Sequence, residues 1–445
     1  MEADTLIHAR WIIPVEPAGK RLEHHALAIT DGRILALLPS EEARQQIEAT
    51  EVVELPGHAL IPGLVNAHTH TPMTLFRGLA DDLPLMEWLQ RHIWPAEQQW
   101  VSRDFVAAGS RLAMAEMIRG GTTCFNDMYF FPDVTAQVAH QAGLRAAIGM
   151  ILIDFPSAWA SDSDDYLQRG LALHDQYRND PLVKVIFAPH APYSVGDEPL
   201  KKVRTLAAEL ELPVHMHVHE TRDEVEQGVA SHGLRPLARL DRLGLLAPDL
   251  VAVHMTQLEE AEIAKVAEAG VQVVHCPQSN LKLASGFCPV AKLLEAGVNV
   301  ALGTDGAASN NDLDMLAEMQ SAALLAKGVS GDPAALPAFQ ALEMATLNGA
   351  RALGLEDQTG SLLPGKQADL CAIDLGALET QPVYDPVSQI VYAAGREQVT
   401  HLWVKGIPLM RERQLLTLDQ PRILADADQW RQRLEAGRQA DPGGR

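Results

Sequence analysis

At 445 residues, 47% hydrophobic and 21% charged, the chain has globular composition and enough length for one large barrel plus a smaller domain. A formal charge of −22 with no compensating basic patch disfavours nucleic-acid backbones and anionic membrane surfaces as partners. The start, Met1-Glu2-Ala3-Asp4, is acidic where a secretory signal is basic, and no apolar stretch approaches the roughly 18 residues of a membrane helix, so a soluble, cytoplasmic protein is expected. Cys124, Cys276, Cys288 and Cys371 are scattered without a Cys-x-x-Cys pair and read as reduced core residues.

Residues 1–60 read as short strands with tight turns, the first part of a small β-domain. Asp31-Gly32 between the apolar runs 26–30 and 33–35 signals a two-residue hairpin turn, because both central positions need positive φ. From 61 to 362, apolar strand-like runs alternate with helical stretches, the pattern of a parallel α/β sheet. Eight candidate strands centre on 64–67, 122–126, 145–150, 183–188, 214–218, 251–254, 271–276 and 298–303. Eight such units fit a (β/α)₈ TIM-type barrel, whose working residues sit at strand C-terminal ends and in the loops that follow. An open doubly wound sheet is the competing reading, but its Gly-x-Gly-x-x-Gly fingerprint is absent. Strand character returns over 363–418, expected to join the N-terminal strands in one discontinuous β-domain. Residues 419–445 read as a capped polar helix and a frayed tail at 441–445.

The first barrel run ends in Ala67-His68-Thr69-His70, and residues two apart on a strand project to the same side, so both imidazoles can reach one ion. Two histidines do not complete a site. Further candidates stand at later strand ends: His217 in Val214-His215-Met216-His217, His254 in Val251-Ala252-Val253-His254, and Asp305 in Gly303-Thr304-Asp305-Gly306. A single strand-end histidine is more often a hydrogen-bonded core residue than a ligand, but five such groups on one rim point to a metal.

At these residues the chain resembles the amidohydrolase superfamily, and within it the 5′-methylthioadenosine/S-adenosylhomocysteine deaminases. The resemblance is carried by 62–70, Pro189-His190-Ala191-Pro192-Tyr193, His217-Val218-His219-Glu220-Thr221, 303–311 and 364–370, and covers nearly the whole chain. It implies that His68, His70, His217 and Asp305 bind one divalent ion per subunit, zinc by preference, with water completing the shell. Imidazole-rich sites with an open position suit zinc and bring the pKa of water towards about 7. The same likeness makes Asp305 an acceptor for the water proton, His254 a non-ligand that orients the attacking oxygen, and Glu220 the proton shuttle to the ring nitrogen. His190 and Glu97 carry over as substrate contacts, Glu97 accepting hydrogen bonds from two ribose hydroxyls. Trp88, with Met86 and Leu89, is expected as a lid over the 5′ substituent, against ordinary helix packing as the bland alternative.

His215 and His219 read as packing or outer residues. Lys184 stands at the far end of the fourth strand, which leaves Ala188-Pro189-His190 where binuclear relatives carry a bridging lysine, so one metal is expected. Between Arg145 and Arg169 no cation offers itself to an amino-acid carboxylate, which favours 5′-methylthioadenosine, with adenosine next, over S-adenosylhomocysteine. The implied reaction is hydrolytic conversion of a 6-aminopurine nucleoside to its 6-oxo form with release of ammonia. A triazine or other heteroaromatic hydrolase using the same site is the alternative, and a catalytically silent barrel the reading from another class. A homo-oligomer is left open. Gly360 to Gln367 imitates a phosphate loop but lacks the following Ser or Thr, and His219-Glu220-Thr221-Arg222-Asp223 has Asp where a zincin needs its second His.

Overall fold

The computed structural model describes residues 1–440. Its centre is a parallel eight-stranded sheet whose strands neighbour one another in chain order: β1 (Leu64–Thr69), β2 (Thr122–Asp127), β3 (Arg145–Leu152), β4 (Val183–Pro189), β5 (Val214–Val218), β6 (Leu250–His254), β7 (Gln272–His275) and β8 (Val300–Leu302). All eight anticipated runs are strands, with ends shifted by two residues or fewer. Helices separate them, and nearly every strand residue is buried, as expected of parallel strands covered on both faces. The (β/α)₈ barrel is therefore the fold, and the open doubly wound sheet is not.

Closure between β8 and β1 uses side chains as much as backbone. Asp305 N donates to His68 O at 3.0 Å, Thr304 N donates to Asn66 Oδ1 at 3.0 Å, and Asn66 Nδ2 donates to Thr304 Oγ1 at 2.7 Å. Gly303 permits this approach: a Cβ there would lie 2.8 Å from His68 N. The segment after β8 is thus delivered against His68, near the end of β1.

A second sheet gathers both ends of the chain. Glu2–Ile12, Leu22–Thr30, Arg33–Pro39 and Glu48–Pro62 combine with Leu370–Asp374, Val399–Val404, Ile407–Arg411 and Gln414–Leu415. The seam is the antiparallel pair Pro62↔Leu370 to His58↔Asp374. The Asp31-Gly32 turn has φ of 49° and 72°, as the hairpin reading requires. A buried ion pair, Arg145 Nε to Asp369 Oδ2 at 2.8 Å, ties this sheet to the start of β3. The C-terminal helix is Gln420–Ala440, and its Trp430 ring packs edge-on against Phe105 at 5.2 Å. The tail expected at 441–445 lies outside the described residues. No helix among the described residues is long and apolar enough to cross a membrane.

Candidate functional site

The C-terminal ends of β1, β5, β6 and the segment after β8 converge on one buried cluster. His68, His70 and Asp305 form one group of closely spaced potential metal ligands, and His68, His217 and His254 form a second that shares His68. Asp305 Oδ1 stands 3.4 Å from His68 Nε2 and 3.2 Å from His70 Nε2, while His217 Nε2 is 3.2 Å from His68 Nε2. Strand geometry places His68 and His217, whereas His70 falls just beyond β1 at φ −126°, ψ 77°. Asp305 has φ +62°, a left-handed conformation uncommon outside glycine.

Outer contacts settle which ring nitrogens face the centre. His70 Nδ1 meets the carbonyl of Met128 at 2.5 Å and His217 Nδ1 meets that of His190 at 2.7 Å. A carbonyl can only accept, so each Nδ1 carries a proton and each Nε2 faces inward, the atom whose lone pair a metal would take in place of any proton there. His254 Nδ1 meets Asn280 Oδ1 at 2.9 Å and His68 Nδ1 meets His215 Nε2 at 2.9 Å. Ser279 Oγ donates to Asp305 Oδ2 at 2.6 Å, and Gly306 N donates to Oδ1 at 2.7 Å. Inward lone pairs from buried imidazoles beside an oriented carboxylate fit a divalent ion with a taste for nitrogen and oxygen, zinc above all.

Burial lowers His68 to about 4 and His190 to about 3, so both are neutral at pH 7. Burial opposes protonation of His70 as well, but the hydrogen bond and charge of Asp305 raise it to about 9. Asp305 is pulled well below the usual carboxylate range by His68 and His70 despite its burial. Glu220 moves the other way: burial, reinforced by the charge of Asp305, raises it. Its Oε2 lies 3.7 Å from His254 Nε2, and Ser285 Oγ donates to its Oε1 at 3.4 Å.

The cluster opens into a cleft. Glu97, Trp88, His190, Glu220, His254 and Asp305 all line it, so every residue expected to act on substrate faces one space. Burial pushes the Glu97 carboxyl up to about 7, with Tyr129 and His70 opposing. The His190 ring lies tilted against His217, with centroids 4.9 Å and planes 57° apart, and its Nδ1 meets Ser194 Oγ at 2.9 Å. Leu89 lines the cleft beside Trp88, while Met86 packs on the core without reaching it. Leu85, Trp94, Ile153 and Phe155 make the remaining wall apolar, and among the described residues no Lys or Arg lines it. Lys184 Nζ donates to Leu353 O at 3.0 Å, far from the cluster in sequence register along β4.

Sequence reading alone did not single out Ser279, Asn280, Ser285, Glu224 or Thr256. The first three follow β7, where the barrel rule directs attention to any polar run, and Ser279-Asn280 was there to be found. His215, read as a packing or outer residue, stands behind His68, a partner 147 residues away that no local signal names.

Comparison with known proteins agrees with this geometry. Residues 59–408 match the model of the Amidohydrolase family. A 5-methylthioadenosine/S-adenosylhomocysteine deaminase of Teredinibacter turnerae is 52% identical over 98% of both chains, and one of Saccharophagus degradans is 51% identical over 98% of both. A crystal structure of an adenosine deaminase from Xanthomonas campestris with bound zinc superposes with a TM-score of 0.97 at 56% identity, covering 98% of this chain and 99% of that one. An atrazine chlorohydrolase from Arthrobacter aurescens shares the fold at a TM-score of 0.89 and 23% identity over 96% of this chain and 99% of that one. With the family model spanning most of the chain and close relatives spanning all but its ends, the chain belongs to the amidohydrolase family.

Proposed function

We propose that this chain is a zinc-dependent hydrolytic deaminase of adenosine-type nucleosides, acting on 5′-methylthioadenosine by preference. The observation that carries the reading is the convergence of inward-facing imidazoles and Asp305 at the floor of a cleft whose walls present Glu220 and Glu97. The names of the relatives over the whole chain length support it.

His68, His70, His217 and Asp305 would hold the ion. Bound there, zinc supplies a Lewis acid that lowers the pKa of water towards about 7. The remaining work falls to side chains. Asp305 Oδ2, already in a short hydrogen bond, takes the proton of the attacking water. His254, its ring fixed by Asn280, directs the oxygen towards C6 of the purine. Glu220, whose proton affinity burial raises, gives its proton to ring N1 as the C6–O bond forms; the proton taken by Asp305 passes to the leaving amine, and the hydroxyl proton on the added oxygen returns to Glu220. The C6–N bond breaks, ammonia departs and the 6-oxopurine remains. Glu97 accepts from the two ribose hydroxyls, a cis-diol geometry that a triazine lacks, and His190 contacts the base.

The apolar wall of Trp88, Trp94, Ile153 and Phe155 suits a methylthio group and offers a carboxylate nothing to pair with. S-adenosylhomocysteine is accordingly a poorer substrate. A cytoplasmic location belongs to the same proposal and accords with four buried free cysteines. Ammonia release from the zinc-loaded protein, compared across methylthioadenosine, adenosine, S-adenosylhomocysteine, guanine and a chlorotriazine, tests it. Turnover of the first two is expected to exceed the rest. Absence of ammonia from every 6-aminopurine nucleoside would refute the function, and equal efficiency on S-adenosylhomocysteine would refute the preference.

A further inference from the structure

The turn after β5 carries two groups the proposed reaction needs, His217 within the strand and Glu220 three residues on. Between them His219 adopts φ +54°, in the left-handed region. Successive backbone N–H groups around such a residue make a concavity suited to an anion. Here the acceptor is a carboxyl group of the protein itself. Glu224 Oε1 accepts from His219 N at 3.0 Å and its Oε2 accepts from Glu220 N at 2.6 Å.

Helix capping does not account for this carboxylate. Thr221 is the N-cap of the helix Arg222–His232, and its Oγ1 accepts from Glu224 N at 3.2 Å. In a Thr-x-x-Glu capping box the acid returns to the amide of the N-cap itself. Glu224 feels that N-cap amide too, but its two measured hydrogen bonds run past it to the amides of His219 and Glu220. It does so while 5% exposed and beside a second buried acid, an arrangement costly in free energy unless the carboxylate is fully used. On the other side of the same residue, Thr256 Oγ1 donates to Glu220 O at 2.6 Å. The backbone of Glu220 is thus held at both its amide and its carbonyl, whereas its carboxyl has only the long hydrogen bond from Ser285 at 3.4 Å and the approach of His254 at 3.7 Å. Glu224 is not among the residues that line the cleft.

Resting on the deaminase reading, we propose that Glu224 is a positioning residue for Glu220: it fixes the backbone from which Glu220 reaches the ring nitrogen, and does not touch substrate. Glu224→Gln is the direct test, because an amide offers one acceptor oxygen and turns an NH₂ against the second N–H. Expected is a kcat lower by about 10- to 100-fold, the range typical of groups that orient an active residue, with KM for methylthioadenosine within about threefold of wild type and zinc content unchanged. In a Glu220→Gln background the same change should cost nothing further, since residues acting through one another are not additive. A kcat within twofold of wild type, or losses that multiply in the double variant, would overturn the proposal while leaving the deaminase reading intact. Should Glu224→Gln fail to fold, Thr256→Val removes the opposite anchor and is held to the same two criteria. A wild-type protein inert on every 6-aminopurine nucleoside would overturn both readings together.

Discussion

His68 has its two ring nitrogens committed in opposite directions, one to His215 and one to the centre shared by His217 and Asp305. The same division recurs at His70, His217 and His254, each with an outer acceptor and an inner face. Such outer partners fix the ring orientation before any ion arrives, so little reorganisation remains on binding. Glu220 differs because no strong donor holds its carboxyl and burial raises its proton affinity, which is what a shuttle needs and a ligand does not. Glu220→Gln is therefore expected to keep its zinc, by metal analysis of the purified protein, and to lose about 10²- to 10⁴-fold in ammonia release, the scale of general acid and base contributions. A variant with wild-type turnover would remove Glu220 from the mechanism.

At the scale of the element, the site depends on how closely β8 approaches β1. Gly303 has no room for a side chain, since a Cβ would press on His68 N, Cβ and O within 2.9 Å, and all three neighbours belong to the residue that carries a proposed ligand. Gly303→Ala should then cost about 1–3 kcal/mol of stability by overpacking and weaken zinc retention as well, read by urea unfolding and by dialysis against a weak chelator. Stability loss with undiminished zinc retention would show that the contact shapes the barrel alone. The barrel strands were legible in the sequence because buried parallel strands read as continuous apolar runs, Val251-Ala252-Val253 being one example. Ligand candidates were legible because strand C-terminal ends are where a barrel works. The helix Ser40–Gln46, by contrast, was hidden within a stretch read as strands and turns, being seven residues long with a single buried position. The grip of Glu224 was hidden too, because Thr221 and Glu224 spell an ordinary capping box and only the left-handed turn at His219 redirects the carboxylate.

The whole molecule joins an acidic barrel to a sheet built from both chain ends, and that sheet has its own pH sensitivity. His401 is buried in the second sheet, stacked on Trp403 with centroids 5.6 Å apart, and faces His58, Glu412 and Arg411. Burial, and then the nearby His58, lowers it to about 4 from an ordinary 6.5. The folded state therefore binds fewer protons than the unfolded chain between these values. Stability from this site is whole above pH 6.5 and is lost as pH falls towards 4, by up to about 3 kcal/mol. His401→Gln should flatten that part of the decline in urea midpoints measured from pH 7.5 to 4.5, and an unchanged slope would contradict it.

Metal-free protein titrated with zinc, with ammonia release from methylthioadenosine followed at each addition, measures the joint claim of one ion and one reaction. Activity should rise from the baseline and saturate at one zinc per chain. Turnover without added metal, or saturation only at two ions per chain, would contradict the account.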